Sequence, residues 1–272
     1  MTRTSFGGRM PHQPFKDNVV ILTGASRGIG EQLAYQLAAQ GARLALAARH
    51  AETLEAVAAA CRERGGQAIA VPTDLTNEAQ CQQLIERTVA EYGRIDTLIN
   101  DAGLGYPRRF ADLPDLHTMR AEIDLNYMGT VYCTYYALPY LKQTRGRLVG
   151  VNSFGGQVGI PGTAGYNASK HAMRGFLNTL RVELHGTGVT VSVAYLGAVR
   201  TERLKKTMGD NVNKIPTMDP KRVAALIIQQ AARRQRQQVM TFPGKFLLWL
   251  NKWSPTLVDR ILVSIRSISY QE

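Results

Sequence analysis

A continuous apolar run at Val19–Leu22 is followed at once by the glycine-rich turn Thr23–Gly30. An apolar run without alternation is typical of a strand buried on both faces of a parallel sheet. Glycines between such a strand and a helix allow a tight turn and let backbone amides approach a pyrophosphate at the helix N-terminus. This order therefore predicts the first strand–turn–helix unit of a dinucleotide-binding fold.

The same alternation of strand and helix continues along the chain. Further strands are predicted over residues 43–48, 68–71, 95–99, 147–151, 189–194 and 238–241, and helices over 31–40, 51–64, 77–92, 116–142, 164–185 and 220–234, with Thr76 as an N-cap. Strands that alternate with helices of this length indicate a parallel sheet. The fold class predicted is α/β, a Rossmann-type doubly wound parallel seven-stranded sheet with helices on both faces.

The 272 residues, 44% of them hydrophobic, suffice for one large core. We divide the chain into a disordered tail at 1–15, a catalytic domain at 16–242 and a C-terminal extension at 243–272. Three scattered cysteines favour reduced thiols over a disulfide framework or a zinc site, and so a cytoplasmic protein. No metal site is predicted.

The end of the second strand bears on the choice of dinucleotide. A protein that binds NAD usually places a carboxylate there, about 20 residues after the glycine turn, to hold the ribose 2′-hydroxyl. Here the strand ends Ala47-Ala48-Arg49-His50, and Arg27 lies in the glycine turn itself. Two guanidinium groups pair well with a 2′-phosphate, so NADP(H) is predicted in preference to NAD(H). The alternative is that Arg49 is a solvated residue after a strand.

A second motif suits proton transfer. Tyr166 and Lys170 are four residues apart in a predicted helix and so lie on one face, and Ser153 stands thirteen residues before the tyrosine. A lysine ammonium about 4 Å away would lower the tyrosine pKa from about 10 by up to roughly three pH units. That would fit the phenol for acid–base work near neutral pH. Read alone, this spacing also arises by chance.

Together the motifs resemble the short-chain dehydrogenase/reductase family, in its shorter single-domain branch, over about residues 16–242. The resemblance rests on the glycine turn, Asp74, Asn100–Gly103, Asn126, Ser153, Tyr166 and Lys170, in order and properly spaced. It implies that Tyr166 is the acid–base, that Lys170 lowers its pKa and binds the nicotinamide ribose, that Ser153 orients the substrate oxygen, and that Asn126 holds a water connecting Lys170 to solvent.

The resemblance also implies a set of cofactor contacts. Asp74 and Leu75 would flank the adenine, and Asn100, Ala102 and Gly103 would line the adenosine and ribose. The nicotinamide carboxamide would meet the segment after the sixth strand. The full set of cofactor-binding residues predicted is Gly24, Ser26, Arg27, Gly28, Ile29, Gly30, Arg49, Asp74, Leu75, Asn100, Ala102, Gly103, Tyr166, Lys170, Gly197, Val199 and Thr201.

The chain departs from the family pattern at two positions. The family usually has Asn-Asn-Ala-Gly after the fourth strand, and here the second position is Asp101. It usually has Pro-Gly after the sixth strand, and here the pair is Leu196-Gly197, which puts the nicotinamide wall in doubt. Neither departure changes a proton-transfer residue.

Charge and apolar residues are concentrated at the C-terminus. From Arg200 to Glu272 there are 14 lysines and arginines against 5 aspartates and glutamates, so this quarter holds +9 of the total net charge of +12. Its last part has the pattern of two short amphipathic helices, broken at Pro255, with basic and aromatic residues. Such segments lie in a membrane interface or pack on their own domain or a second subunit. The sequence therefore allows two interpretations of residues 244–268, namely peripheral membrane contact and packing against protein.

We therefore expect an NADP(H)-dependent oxidoreductase that interconverts a ketone or aldehyde and an alcohol, on a lipophilic small molecule, as a homodimer or homotetramer. Two alternatives use the same fold without catalysis. One is an NADP(H)-binding regulator, and the other is a protein that binds an anionic surface such as a membrane or nucleic acid. No nucleic-acid motif is present, and the basic residues alternate with aliphatic ones, so no nucleic-acid partner is expected.

Overall fold

The computed structural model describes residues 13–269, without the side chains of residues 207, 208, 210, 211, 214 and 265–269. Its strands are β1 (Val19–Thr23), β2 (Arg43–Ala48), β3 (Gln67–Pro72), β4 (Thr97–Asn100), β5 (Arg147–Ser153), β6 (Thr190–Leu196) and β7 (Gln237–Val239). They form one parallel sheet of seven strands in the order β3-β2-β1-β4-β5-β6-β7. The predicted doubly wound seven-stranded sheet is confirmed.

Ten α-helices occur within the described residues. They are α1 (Gly28–Ala38), α2 (Ala51–Glu63), α3 (Glu78–Tyr92), α4 (His117–Ile123), α5 (Gly129–Thr144), α6 (Ala164–Glu183), α7 (Glu202–Met208), α8 (Pro220–Ala232), α9 (Phe242–Trp253) and α10 (Pro255–Ser269). A π-helical turn, Asp124–Met128, joins α4 to α5, so the long helix predicted over 116–142 is interrupted.

Two apolar layers cover the sheet. On one face α1, α2 and α8 bury leucine, alanine and valine side chains against β1 and β2. On the other, α3, α5 and α6 pack on β4, β5 and β6. Strands with a layer on each face need apolar side chains in both directions, which explains the unbroken apolar run of β1, buried at every position. The chain reverses direction of winding between β1 and β4, where open sheets of this kind bind ligands.

Several predicted boundaries shift. Asn77, not Thr76, is the N-cap of α3, because its side chain accepts a hydrogen bond from the Gln80 backbone N–H. The predicted helix 220–234 is α8, and the Asp219 side chain caps it. Residues 1–12 of the predicted tail lie outside the described residues, whereas Phe15 is fully buried in the core.

The C-terminal extension begins with α9 at Phe242, and its predicted break at Pro255 separates α9 from α10. None of the described helices has the length and hydropathy needed to cross a bilayer.

Candidate active site

A cleft of about 650 Å³ opens at the carboxyl ends of β1, β2 and β4. Its walls come from the glycine turn, the ends of β2 and β3, the segment after β4 and the start of α7. Of the residues predicted to bind a cofactor, ten line this cleft: Gly24, Ser26, Arg27, Gly28, Ile29, Arg49, Leu75, Ala102, Gly103 and Thr201. Parallel strands end at the same edge of the sheet, so residues far apart in sequence meet here.

The glycine turn forms a cradle that side chains would fill. Gly24 and Gly28 have φ angles of +72° and +65°, which favour glycine. A β-carbon at Gly30 would overlap the carbonyl oxygen of Gly24. The N-cap of α1 is Arg27, whose side chain makes no capping hydrogen bond. The Arg27 side chain therefore leaves the first turn of α1 uncapped, as a phosphate-binding helix N-terminus requires, and the Asp101 carboxylate accepts a hydrogen bond from the Gly30 backbone. These features fit a dinucleotide.

Gly30→Ala tests this close packing. Because the added methyl group meets backbone rather than a flexible side chain, we expect a loss of about 1–3 kcal/mol in the free energy of unfolding and weaker NADPH binding. Urea unfolding and NADPH fluorescence titration measure the two effects. The control is Gly175→Ala in α6, where a β-carbon has no atom within 4 Å. Equal stability of the Gly30→Ala and Gly175→Ala proteins would contradict the prediction.

The adenosine end of the cleft is only partly as predicted. Leu75 lines it, together with Thr73, which sequence reasoning missed. Asp74 is not among the lining residues, because its carboxylate closes a local turn by accepting hydrogen bonds from the Thr76 backbone N–H at 3.0 Å and its hydroxyl at 2.8 Å. Arg27 and Arg49 line the same cleft, with no acidic residue at the end of β2.

Thr23 joins the glycine turn to the end of β4. Its hydroxyl oxygen accepts hydrogen bonds from the backbone N–H groups of Asp101 and Ala102, both at 3.1 Å. The Asn100 side chain points into the protein interior and does not line the cleft. Its side chain is buried and donates to the Thr134 hydroxyl at 3.3 Å. Asn100 thus supports β4 against α5, and Ala102 and Gly103 face the cleft.

Asp101 lies close enough to Lys170 and Tyr166 for its charge to influence the pKa of each. Burial raises the pKa of its carboxyl from 3.8 to about 7, although the positive charge of Lys170 and a hydrogen bond from the Gly30 backbone act in the opposite direction. The same burial lowers the pKa of Lys170 from 10.5 to about 8, against the charge of Asp101. Two oppositely charged groups therefore titrate near neutral pH within one buried cluster.

Tyr166, Lys170 and Ser153 come together as predicted. Tyr166 and Lys170 lie on one face of α6, with the lysine Nζ 5.9 Å from the centre of the tyrosine ring. Ser153 ends β5, and its hydroxyl hydrogen-bonds with the Tyr166 phenol. The Lys170 ammonium is buried and donates to the Val151 carbonyl oxygen at 3.2 Å. These three side chains form a polar group where the end of β5 meets α6.

The expected lowering of the Tyr166 pKa is wrong for the protein without its cofactor. Burial is the largest influence and raises the pKa of Tyr166 above 10.0. The Ser153 hydrogen bond and the positive charge of Arg203 lower it only in part, while Glu122 and Asp101 raise it further. Helical spacing places a lysine on the same face, but it cannot show that desolvation and two carboxylates raise the pKa of the phenol.

Asn126 lies in the π-helical turn, a feature that often occurs at functional sites. Its amide nitrogen donates to the Leu104 carbonyl oxygen at 2.7 Å and to the Ser169 hydroxyl at 2.9 Å. Its amide oxygen accepts the Leu104 backbone N–H at 2.7 Å. Asn126 therefore holds the segment after β4 against α6. Its predicted contact with a water stays a prediction.

Sequence reasoning missed two charged residues near Tyr166. Arg203 in α7 donates to the carbonyl oxygens of Gly103 and Gly105, which ties α7 to the segment after β4. Glu122 in α4 is buried and accepts the Tyr106 backbone N–H at 2.6 Å. Neither belongs to a motif with a recognisable spacing. Only the fold brings them next to the phenol.

The segment after β6 closes the cleft. Thr201 caps α7 by accepting the Leu204 backbone N–H at 3.2 Å, and its methyl group lies across the cleft from Gly28. Val199 is buried and pairs with Met218 in a short bridge. Gly197 sits against the Thr241 side chain. Thr201 therefore lines the cleft, whereas Gly197 and Val199 belong to the same segment but do not line it.

The C-terminal extension packs on the site's own domain. Val258 and Leu262 of α10 are buried against Val158, which follows Ser153 by five residues, and the surrounding contacts come from Phe154, Leu247, Leu248 and Leu250. The predicted alternative, packing on the same domain, is therefore present. The extension therefore lies against the segment that follows Ser153 at the end of β5.

Comparisons with known proteins agree with this geometry. The family model for short chain dehydrogenases matches residues 18–211. The 11-beta-hydroxysteroid dehydrogenase 1A of Arabidopsis thaliana is 40% identical over 185 residues, which are 68% of this chain and 53% of that protein. The human dehydrogenase/reductase SDR family member 7 is 36% identical over 264 residues, 92% of this chain and 78% of that protein.

A solved structure shows the same fold. It is an alcohol dehydrogenase from the archaeon Thermococcus sibiricus complexed with 5-hydroxy-NADP, with a TM-score of 0.76 and 27% identity, and the match covers 83% of this chain and 96% of that one. The chain spans about half the length of the Arabidopsis hydroxysteroid dehydrogenase 1A that it matches. The family match includes the glycine turn and Ser153, Tyr166 and Lys170. This chain therefore belongs to the short-chain dehydrogenase/reductase family of oxidoreductases.

Proposed function

We propose that this protein is an NADP(H)-dependent oxidoreductase that interconverts a ketone or aldehyde and an alcohol, on a lipophilic substrate. The observation that carries the proposal is the grouping of Tyr166, Ser153 and Lys170 beside a cleft whose glycine turn fits a dinucleotide. A bound NADPH would supply the hydride for reduction. The chain's own residues then hold the carbonyl and deliver the proton.

The proton step follows from the contacts of Tyr166. The Ser153 hydroxyl, which hydrogen-bonds the phenol, would orient the substrate oxygen beside it. In reduction the Tyr166 O–H donates its proton to that oxygen, and in oxidation the phenolate takes the proton back. Lys170, buried under the ring and positively charged below a pKa of about 8, stabilises the phenolate that forms. Arg203 adds a second positive charge on the same phenol.

The preference for NADP(H) is supported by the two arginines in the cleft. Arg27 and Arg49 supply guanidinium donors that match a 2′-phosphate, and β2 ends without the carboxylate that would repel one. Charge-assisted hydrogen bonds are worth about 1.5–3 kcal/mol each. We therefore expect Arg27→Ala and Arg49→Ala each to reduce the ratio of kcat/KM for NADPH over NADH by about ten- to a hundredfold.

The ratio is measured by initial rates with each cofactor. The NADH value should stay nearly constant, because that cofactor lacks the phosphate. Arg64→Ala serves as the control, since this guanidinium lies over the Tyr35 ring, 4.2 Å from its centre, and does not line the cleft. Equal losses with both cofactors would show that the arginines do not select NADPH.

A lipophilic substrate is supported by the surroundings of Ser153. Phe154 and Val158 lie under the leucines of the extension, so the substrate side of the site is apolar. Relatives named as hydroxysteroid dehydrogenases are consistent with a large apolar substrate. NADPH oxidation on carbonyls graded from small and soluble to polycyclic tests this point. Activity that does not rise with apolar size would contradict it.

A further inference from the structure

Helix α9 presents apolar side chains in two directions. Leu247, Leu248 and Leu250 are half-buried and pack toward α10 and the segment after β5. Phe242, Phe246, Trp249 and Trp253 are instead exposed, by 81%, 55%, 56% and 76% respectively. The first set explains how α9 is attached to the domain. The second set is not explained by the fold, since burying large aromatic side chains is normally favourable.

The exposed set forms a continuous row, which we call the aromatic stripe. Its members, Phe242, Phe246, Trp249 and Trp253, are separated by four, three and four residues, so they share one face along the whole helix. Phe246 and Trp249 stack with ring centres 6.0 Å apart. An apolar row of this length on a surface marks an interaction site rather than scattered exposed residues.

The charge beside the aromatic stripe is of one sign. Lys245 and Lys252 are exposed on α9, and the helix contains no aspartate or glutamate. Seven residues apart, they lie along the same flank of the aromatic stripe and give that flank a positive charge. The partner of this surface should therefore combine an apolar interior with negative charge at its boundary.

We propose that the aromatic stripe of α9 docks onto an anionic lipid bilayer, with the helix lying in the plane of the interface. Tryptophan prefers the boundary between headgroups and acyl chains. Lysines on the flanks add attraction to anionic headgroups. At 12 residues, with two lysines, α9 is too short and too charged to span the bilayer.

A second copy of the chain fits this surface less well. Two aromatic stripes placed face to face would bring Lys245 and Lys252 of both copies together, with no acidic residue on α9 to pair with them. Like charges brought together at an interface oppose association. An anionic lipid surface attracts these lysines instead. The positive charge of α9 therefore favours binding to lipid over self-association.

The chain offers a direct test, because its two tryptophans, Trp249 and Trp253, both belong to the aromatic stripe. The full-length protein is titrated with vesicles of equimolar phosphatidylcholine and phosphatidylglycerol, and with vesicles of phosphatidylcholine alone. We expect a blue shift of tryptophan emission and quenching by brominated acyl chains with the anionic vesicles, and much weaker effects with the neutral ones. Neither readout depends on catalytic activity.

Three variants separate the contributions. Phe242→Ser combined with Phe246→Ser keeps both tryptophans and should abolish the quenching. Lys245→Gln combined with Lys252→Gln should weaken vesicle binding on the order of tenfold or more, since each lysine near an anionic surface contributes roughly 1 kcal/mol. The control is Tyr135→Ser, an aromatic residue exposed by 69% on α5, which should bind like the parent protein. Thermal unfolding checks that every variant is folded.

Three results would overturn the proposal. One is an absence of quenching with anionic vesicles while the protein is folded. Another is an emission that is blue-shifted without lipid and depends on protein concentration, which would place a second copy on the aromatic stripe. Equal binding to neutral and anionic vesicles would also contradict it, because the argument from Lys245 and Lys252 requires negative charge.

Discussion

Replacing Tyr166 by phenylalanine is expected to reduce kcat by about 10²- to 10⁴-fold, the range that a positioned acid–base group contributes. The change removes only the phenol oxygen, so the ring still packs against Gly105 and under the segment after β4. We expect the dissociation constant for NADPH to change little, because the cleft is lined by other residues. Steady-state rates of NADPH oxidation and fluorescence titration of NADPH measure the two quantities.

Tyr140→Phe is the matched control. This tyrosine lies in α5 and packs with the apolar layer over β4 and β5, away from the cleft. It should keep the parent kcat. Turnover within a few-fold of the parent in the Tyr166→Phe variant would refute the assignment of Tyr166 as the acid–base, whereas loss of NADPH binding would point to damage of the cleft instead.

The raised pKa of Tyr166 also sets the direction of its pH dependence. Because burial keeps the phenol protonated across neutral pH, reduction should lose its proton donor only as pH rises through the raised value. Oxidation needs the phenolate, so its rate should rise with pH over the same range. Rates in both directions, measured as a function of pH, should therefore change in opposite directions.

Asp101→Asn is expected to have the second-largest effect, and it acts on stability. The folded-state pKa of Asp101 is raised from 3.8 to about 7, so the folded protein binds more protons than the unfolded chain between these values. Its free energy of unfolding must then fall as pH rises across that range, by at most about 4 kcal/mol in total. Asparagine carries no such charge, so the stability of the variant relative to the parent should increase by about 2–3 kcal/mol between pH 5 and pH 8.

Urea unfolding of both proteins at the two pH values measures the difference. Asp112→Asn, at an exposed position, is the control and should show the parent pH dependence. Loss of the Asp101 charge should also lower the pKa of Lys170, because that charge raises it. The fall in activity that follows deprotonation of Lys170 should therefore move to lower pH. A variant that loses stability at pH 8 relative to pH 5 as much as the parent does would contradict this account.

Local patterns were sufficient for the features that depend on neighbours in sequence. The order of strands and helices and the glycine turn each depend on a few consecutive residues, and both are confirmed. The grouping of Tyr166 with Lys170 needed only helical periodicity. These features are encoded by backbone geometry and hydrophobic pattern, which act over one or two turns of chain.

Local patterns were insufficient where distant segments meet. The Asp74 carboxylate accepts a hydrogen bond within its own turn, and the buried Asn100 side chain donates to Thr134 of α5. Glu122 and Arg203 reach Tyr166 from α4 and α7, and no spacing in the chain indicates this. The pKa of the phenol depends on the sum of these charges and on burial, so it followed the tertiary arrangement and not the Tyr-to-Lys spacing.

The sequence alone determined the parallel sheet, the position of the cleft at its carboxyl edge and the pairing of Tyr166 with Lys170, because these follow from periodicity, glycine geometry and spacing on one helix. Only the tertiary structure decided which charges surround Tyr166 and which face of α9 stays exposed. Electrostatic energy and burial depend on distances between segments far apart in the chain. Those distances exist only once the sheet has brought the segments together.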